Sequence, residues 1–97
     1  MTLLPDREID RRLSELDGWA RDGSTICKQY EFEDFASAMA FVNRVADLAT
    51  RTNHHPDIQI AFRVVTLSFM TYDEGGLTDL DLDGAGEADQ LVDPPAA

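Results

Sequence analysis

Ninety-seven residues amount to one domain's worth of chain, because dividing them would leave each part too small for a core of its own. With 43% hydrophobic and 28% charged residues the chain should fold. Its 8 Lys and Arg against 19 Asp and Glu, a net charge of −11, disfavour binding to nucleic-acid phosphates or anionic lipid. Cys27 stands alone, so no intramolecular disulfide or cysteine zinc cluster can form, and with no secretory leader and no membrane-length apolar run a soluble, reducing, cytoplasmic setting is expected.

From Asp6 to Leu16, Ile9, Leu13 and Leu16 recur at helical spacing with charged residues between them, which predicts a short amphipathic helix ending near Asp17-Gly18. After Trp19 the cluster Arg21-Asp22-Gly23-Ser24 punctuates the chain. Ile26, Lys28, Tyr30 and Phe32 then alternate with Cys27, Gln29 and Glu31, so a hairpin is predicted, its first strand short and centred near Trp19. Lys28 interrupts the apolar face, which implies an edge position or a stem lying along the core with its ammonium at the surface.

The period changes at Phe35: Phe35, Ala38, Met39, Val42, Val45, Ala46 and Ala49 follow helical spacing, with Glu33 and Asp34 at the positive end of the macrodipole and Arg44 and Arg51 toward the negative end. Pro56 removes a backbone donor and biases His55 away from the α region, so this helix must stop before Asn53-His54-His55-Pro56. Ile58, Ile60 and Phe62, then Val65, Leu67 and Phe69, alternate with their neighbours and predict two strands with a turn near Arg63. Beyond Gly75-Gly76 a last helix is predicted, with Thr78 as N-cap, Asp81 three residues on, and Leu77, Leu80, Ala88 and Leu91 on one face. Gly84 and Gly86 weaken it and Pro94-Pro95 ends it.

The whole chain, residues 1–97, therefore reads as a single α+β domain in the order helix, strand, strand, helix, strand, strand, helix: a four-stranded antiparallel sheet with helices packed on one face. The open edges of so small a sheet invite self-association, and a homodimer or larger oligomer is expected.

His54 and His55 are the chain's two histidines and its one concentration of groups that titrate near neutral pH. By spacing alone they are either a proton-exchanging pair or capping and turn residues whose rings favour the last helix carbonyls. A zinc site is disfavoured, because adjacent histidines on an extended chain point in opposite directions and a third ligand would have to come from a distant Asp or Glu.

The run Asn53-His54-His55-Pro56, followed by Phe62, by Thr71-Tyr72, by Gly75-Gly76-Leu77-Thr78 and by Asp81, resembles the signature of the pterin-4a-carbinolamine dehydratases, also called 4a-hydroxytetrahydrobiopterin dehydratases. Upstream, Gly18-Trp19 and Tyr30-Glu31-Phe32-Glu33-Asp34-Phe35, with Ala38, Phe41, Val45 and Ala46, resemble the same family, so the likeness runs roughly from Ile9 to Leu91. The resemblance implies a hydro-lyase that converts a 4a-hydroxytetrahydropterin to the quinonoid dihydropterin without metal or organic cofactor. On this likeness His54 and His55 are the paired catalytic, substrate-binding histidines, and Tyr72 occupies the third site position. A homodimer or homotetramer follows, with no nucleic acid and no membrane as partner.

Two positions depart from the family pattern: Tyr72 stands where members usually carry a third histidine or a tryptophan, and Thr50 where a charged residue is common. A phenol, with an unperturbed pKa near ~10, donates a hydrogen bond well but exchanges protons poorly at neutral pH. Tyr72 is equally readable as a strand-end aromatic with its hydroxyl at the surface. Asp81 matches the family's aspartate, yet three residues after Thr78 it is also where a capping box places an acid; the cap is the favoured reading, making Asp81 and Thr78 structural support. The acidic stretch from Asp79 to Asp93, free of Lys and Arg, reads as a solvated face. Two functions follow: an enzyme, of reduced activity if Tyr72 replaces a proton exchanger, or a protein-binding, dimerisation or assembly module on the same fold.

Overall fold

The computed structural model describes residues 2–92. Helix α1 (Asp6–Ser14) leads into strands β1 (Ala20–Asp22) and β2 (Thr25–Glu31), helix α2 (Phe35–Thr52), strands β3 (Asp57–Ala61) and β4 (Val64–Phe69), a 3-10 turn (Tyr72–Glu74) and helix α3 (Asp79–Asp89). The strands form one antiparallel sheet in the order β1-β2-β4-β3, which is the expected α+β architecture. Asp93, Pro94 and Pro95 lie outside the described residues, and α3 closes before them, at Asp89.

Strand alternation decides which side is dry. Ile26 pairs with Phe69 and Tyr30 with Val65, and these four, with Leu67, are buried against Phe41 and Val45 of α2 and Leu82, Ala85 and Ala88 of α3. Ile9 of α1 joins the same core. On α2 the buried stripe is Ala38, Phe41, Val45, Leu48 and Ala49, whereas Phe35 and Ala46, expected inward, are exposed.

Lys28 is not on an edge strand, since β2 is interior. It faces the core side opposite Leu67, and its ammonium lies 2.9 Å from Oδ1 of Asp89 and 2.7 Å from the Asp17 carbonyl. Asp89 also accepts from Tyr30 Oη at 2.5 Å and Trp19 Nε1 at 3.2 Å, so the end of α3 is clamped to the first hairpin by one carboxylate. The acidic stretch is therefore only partly a solvated face: Asp79 and Asp83 hold Arg12 of α1, and Asp81 and Asp89 turn inward.

Phe62, expected to end β3 with its ring inward, instead sits in the β3–β4 turn at φ 52° with its ring 69% exposed. Gly84, read from sequence as a weak point of α3, is a close-approach position: a Cβ there would lie 2.8 Å from the Phe69 ring, so glycine lets α3 lie down on the end of β4. No helix among the described residues is long and apolar enough to cross a membrane.

Candidate active site

Asn53 ends α2 in the left-handed region, at φ 53°, a conformation that asparagine tolerates better than most residues. That turn swings His54 and His55 off the helix axis, and Pro56 holds the chain extended into β3. At the same end of the sheet β4 stops at Phe69, Thr71 bridges back to Gly76, and Tyr72 opens the 3-10 turn. Because β3 and β4 pair along their length, the junction before one and the loop after the other meet. His54, His55 and Tyr72 line one concavity of about 400 Å³, with Asp57, Met70 and Leu80 also on its wall.

His54 is held on three sides. Its Nε2 lies 2.7 Å from Oδ1 of Asp81, its ring stacks on Phe69 at 5.9 Å, and its backbone N–H donates to the Ala49 carbonyl. Asp81 is fully buried, and its other oxygen accepts from Thr71 Oγ1 at 2.8 Å and from the Thr78 backbone N–H at 2.9 Å. Thr71 spends its single proton on Asp81, so the Thr78 hydroxyl donates to Thr71 while accepting from the Leu80 N–H. With the other carboxylate oxygen already accepting from two donors, the hydrogen-bond network assigns the imidazole as a donor from Nε2 to Oδ1.

The capping box of Thr78 and Asp81 is present, as its spacing implied, but it is half of the matter. The same carboxylate that satisfies the helix N-terminus orients His54, a contact 27 residues apart that spacing could not reveal. Asp57, absent from the sequence-based site, is the other addition: Tyr72 Oη donates to Asp57 Oδ2 at 3.1 Å. That bond raises the Tyr72 phenol above its ordinary range, since losing the proton would set two anions side by side. Asp57 follows directly on His54-His55-Pro56 in the sequence, but its tie to Tyr72 comes from the fold: it opens β3 opposite Ser68 of β4, the strand that leads into the tyrosine's 3-10 turn. Thr50 lies off this wall and turns its hydroxyl to the Ala46 carbonyl at 3.0 Å.

His54 also separates this concavity from a smaller apolar one of about 120 Å³ between α2 and α3, lined by Val45, Leu48 and Leu80. Among the described residues no group of three or more His, Cys, Asp or Glu is placed to hold a metal ion.

A model of the family described as pterin 4 alpha carbinolamine dehydratase matches residues 2–91. A provisionally named pterin-4-alpha-carbinolamine dehydratase of Roseiflexus castenholzii is 50% identical over 90 residues, covering 93% of this chain and 97% of its own length. A relative named in the same way from Koribacter versatilis is 47% identical over 88 residues, covering 91% and 94%. A crystal structure from Brucella melitensis described as a transcriptional coactivator/pterin dehydratase superposes with a TM-score of 0.91 at 29% identity, over 95% of this chain and 100% of that one. A pterin dehydratase-like protein described as a RuBisCO assembly factor in the alpha-carboxysome shares the fold, with a TM-score of 0.68 at 23% identity, over 77% of this chain and 89% of its own.

Proposed function

The chain belongs to the pterin-4-alpha-carbinolamine dehydratase family, and from that membership we propose that it dehydrates a 4a-hydroxytetrahydropterin to the quinonoid dihydropterin, by histidine acid/base catalysis, in tetrahydropterin recycling. The observation that carries this reading is the single concavity shared by His54, His55 and Tyr72. Breaking the carbinol C–O bond requires a proton on the leaving oxygen, and closing the C=N bond requires one to leave the adjacent ring nitrogen. Imidazoles perform both at neutral pH. His54, with Nε2 tied to Asp81, works through Nδ1 from a fixed ring; His55, exposed beside it, is free to turn toward the substrate oxygen. Asp81 and Thr78 act by holding His54 and the loop that carries Tyr72.

On the same reading the partners are a small-molecule pterin and further copies of the chain, as homodimer or homotetramer, in the cytoplasm, with neither nucleic acid nor membrane involved. Support for self-association comes from β3, whose outer edge is unpaired and carries Ile60 at 41% exposure beside the exposed Phe62.

Stopped-flow decay of the carbinolamine with and without the protein tests the reading. The expected result is acceleration that His54→Ala largely removes, and a native rate equal to background overturns it. In that outcome the second reading stands, a binding or assembly module on the same fold, favoured by the phenol at the third site position.

A further inference from the structure

The hydroxyl that stands where a proton exchanger is expected is not idle; it is committed to a carboxylate. Tyr72 Oη donates to Asp57 Oδ2 at 3.1 Å, and both side chains face the concavity of His54 and His55. Their backbones are fixed independently. Asp57 opens β3 and is registered against Ser68 of β4, while Tyr72 follows the Thr71–Gly76 bridge whose Thr71 hydroxyl is anchored on Asp81. Among the described residues no Lys or Arg pairs with Asp57, so its charge is offered to the phenol and to whatever enters the pocket. The two ends of the site thus have the same construction: imidazole backed by Asp81, phenol backed by Asp57.

We propose that Asp57 and Tyr72 form a two-step proton relay that stands in for the missing third imidazole, with Tyr72 touching the substrate and Asp57 acting through it. The inference rests on the dehydratase reading above. In the step, the N–H bond of the ring nitrogen beside the carbinol carbon breaks, and its electron pair forms the C=N bond. The C–O bond breaks with its pair leaving on oxygen, which takes a proton from a histidine imidazolium and departs as water. The ring-nitrogen proton passes to Tyr72 Oη as the phenol's own proton passes to Asp57. No free phenolate forms, which matters because the carboxylate beside it makes that anion costly. The cycle closes when Asp57 returns its proton through solvent and a histidine is reprotonated.

The test is steady-state and stopped-flow kinetics on the full chain for Asp57→Asn, Tyr72→Phe, the two combined, Tyr72→His and the Asp57→Asn Tyr72→His pair, each checked for folding by circular dichroism. Asp57→Asn and Tyr72→Phe should each lower kcat by at least ~10-fold with KM little changed, and together no more than either alone, because they interrupt one relay. Tyr72→His placed on Asp57→Asn should restore the rate, since an imidazole keeps the proton itself. A KM rise with kcat intact would overturn the relay and make Asp57 a binding group. So would a full rate in Asp57→Asn, or failure of the imidazole to rescue it. These outcomes are separate from failure of the dehydratase reading, which shows as a native protein that does not accelerate the decay at all.

Discussion

Oδ1 of Asp81 lies 2.7 Å from Nε2 of His54, so the acid that caps the last helix also sets the tautomer of a pocket histidine. Asp81→Asn keeps the shape and changes the chemistry: one side of the group becomes a donor, facing either the imidazole N–H or the Thr71 and Thr78 donors. A buried donor without a partner costs about 1–3 kcal/mol, so urea unfolding should show a loss of that size. The dehydration rate should fall at least ~10-fold as His54 loses its fixed proton. Asp81→Asn with native rate and native stability would reduce the contact to coincidence.

Two glycines in α3 should respond oppositely to alanine. At Gly84 the added methyl meets the Phe69 ring at 2.8 Å, and overpacking of that kind costs about 1–3 kcal/mol. At Gly86 the nearest atom is Leu16 Cδ2 at 3.8 Å, an ordinary contact, so Gly86→Ala should gain about 0.5–1 kcal/mol from helix propensity. Thermal melts of the two single variants decide it. Because Phe69 also carries the His54 ring, Gly84→Ala should slow the reaction as well.

Alkaline stability should be governed by Tyr30. Burial first, then its hydrogen bond to Asp89, raises the phenol far above its ordinary value. Below about pH 10 neither the folded nor the unfolded chain ionises it and the full contribution is present. Above that the unfolded chain loses the proton and the folded one keeps it, so stability falls as pH rises. Tyr30→Phe should be less stable at neutral pH, having lost the bond to Asp89, yet flatter above pH 10. Unfolding midpoints at pH 8 and pH 11 measure both.

Periodicity was enough for the elements because the core is made of residues whose spacing is local. The sheet face of Ile26, Tyr30, Val65, Leu67 and Phe69 repeats every second residue, and the buried stripe of α2 every third or fourth. Phe62 escaped the pattern because alternation continues in the letters while the backbone turns over at positive φ. Asp81 and Asp89 were legible as acids but not as inward ones, since their partners come from other elements across the fold. The close approach at Gly84 was hidden for the same reason: the ring it accommodates is supplied by β4. His54, His55 and Tyr72 were readable through the family signature, whereas Asp57 became visible only when pairing of β3 with β4 set it beside Tyr72.

The unpaired edge of β3 makes assembly testable at one residue. Ile60 is 41% exposed on the core-facing side of that strand, opposite Val65, and Phe62 stands exposed just beyond it. Light scattering of the purified protein should give a dimer or larger species, and Ile60→Lys should shift it toward monomer, since an edge lysine opposes strand pairing. A native chain that is monomeric and indifferent to dilution would count against assembly.

The position of Tyr72 yields the sharpest expectation about activity. Its ring is 66% exposed and its hydroxyl reaches Asp57, so replacement by histidine disturbs no core packing and leaves an imidazole the same carboxylate to lean on. Unlike a phenol, an imidazole takes up and releases protons directly near neutral pH. Tyr72→His should therefore raise the dehydration rate above native, with a ceiling of about 10²–10⁴-fold for one restored acid/base group. The gain should appear in kcat and fade at acidic pH as the new imidazole becomes charged and can no longer accept a proton. Changing a tyrosine that merely decorates the surface would leave the rate where it was. If native protein and Tyr72→His both match the uncatalysed decay while remaining folded, the pocket does not perform this chemistry, and the protein-binding module takes the enzyme's place.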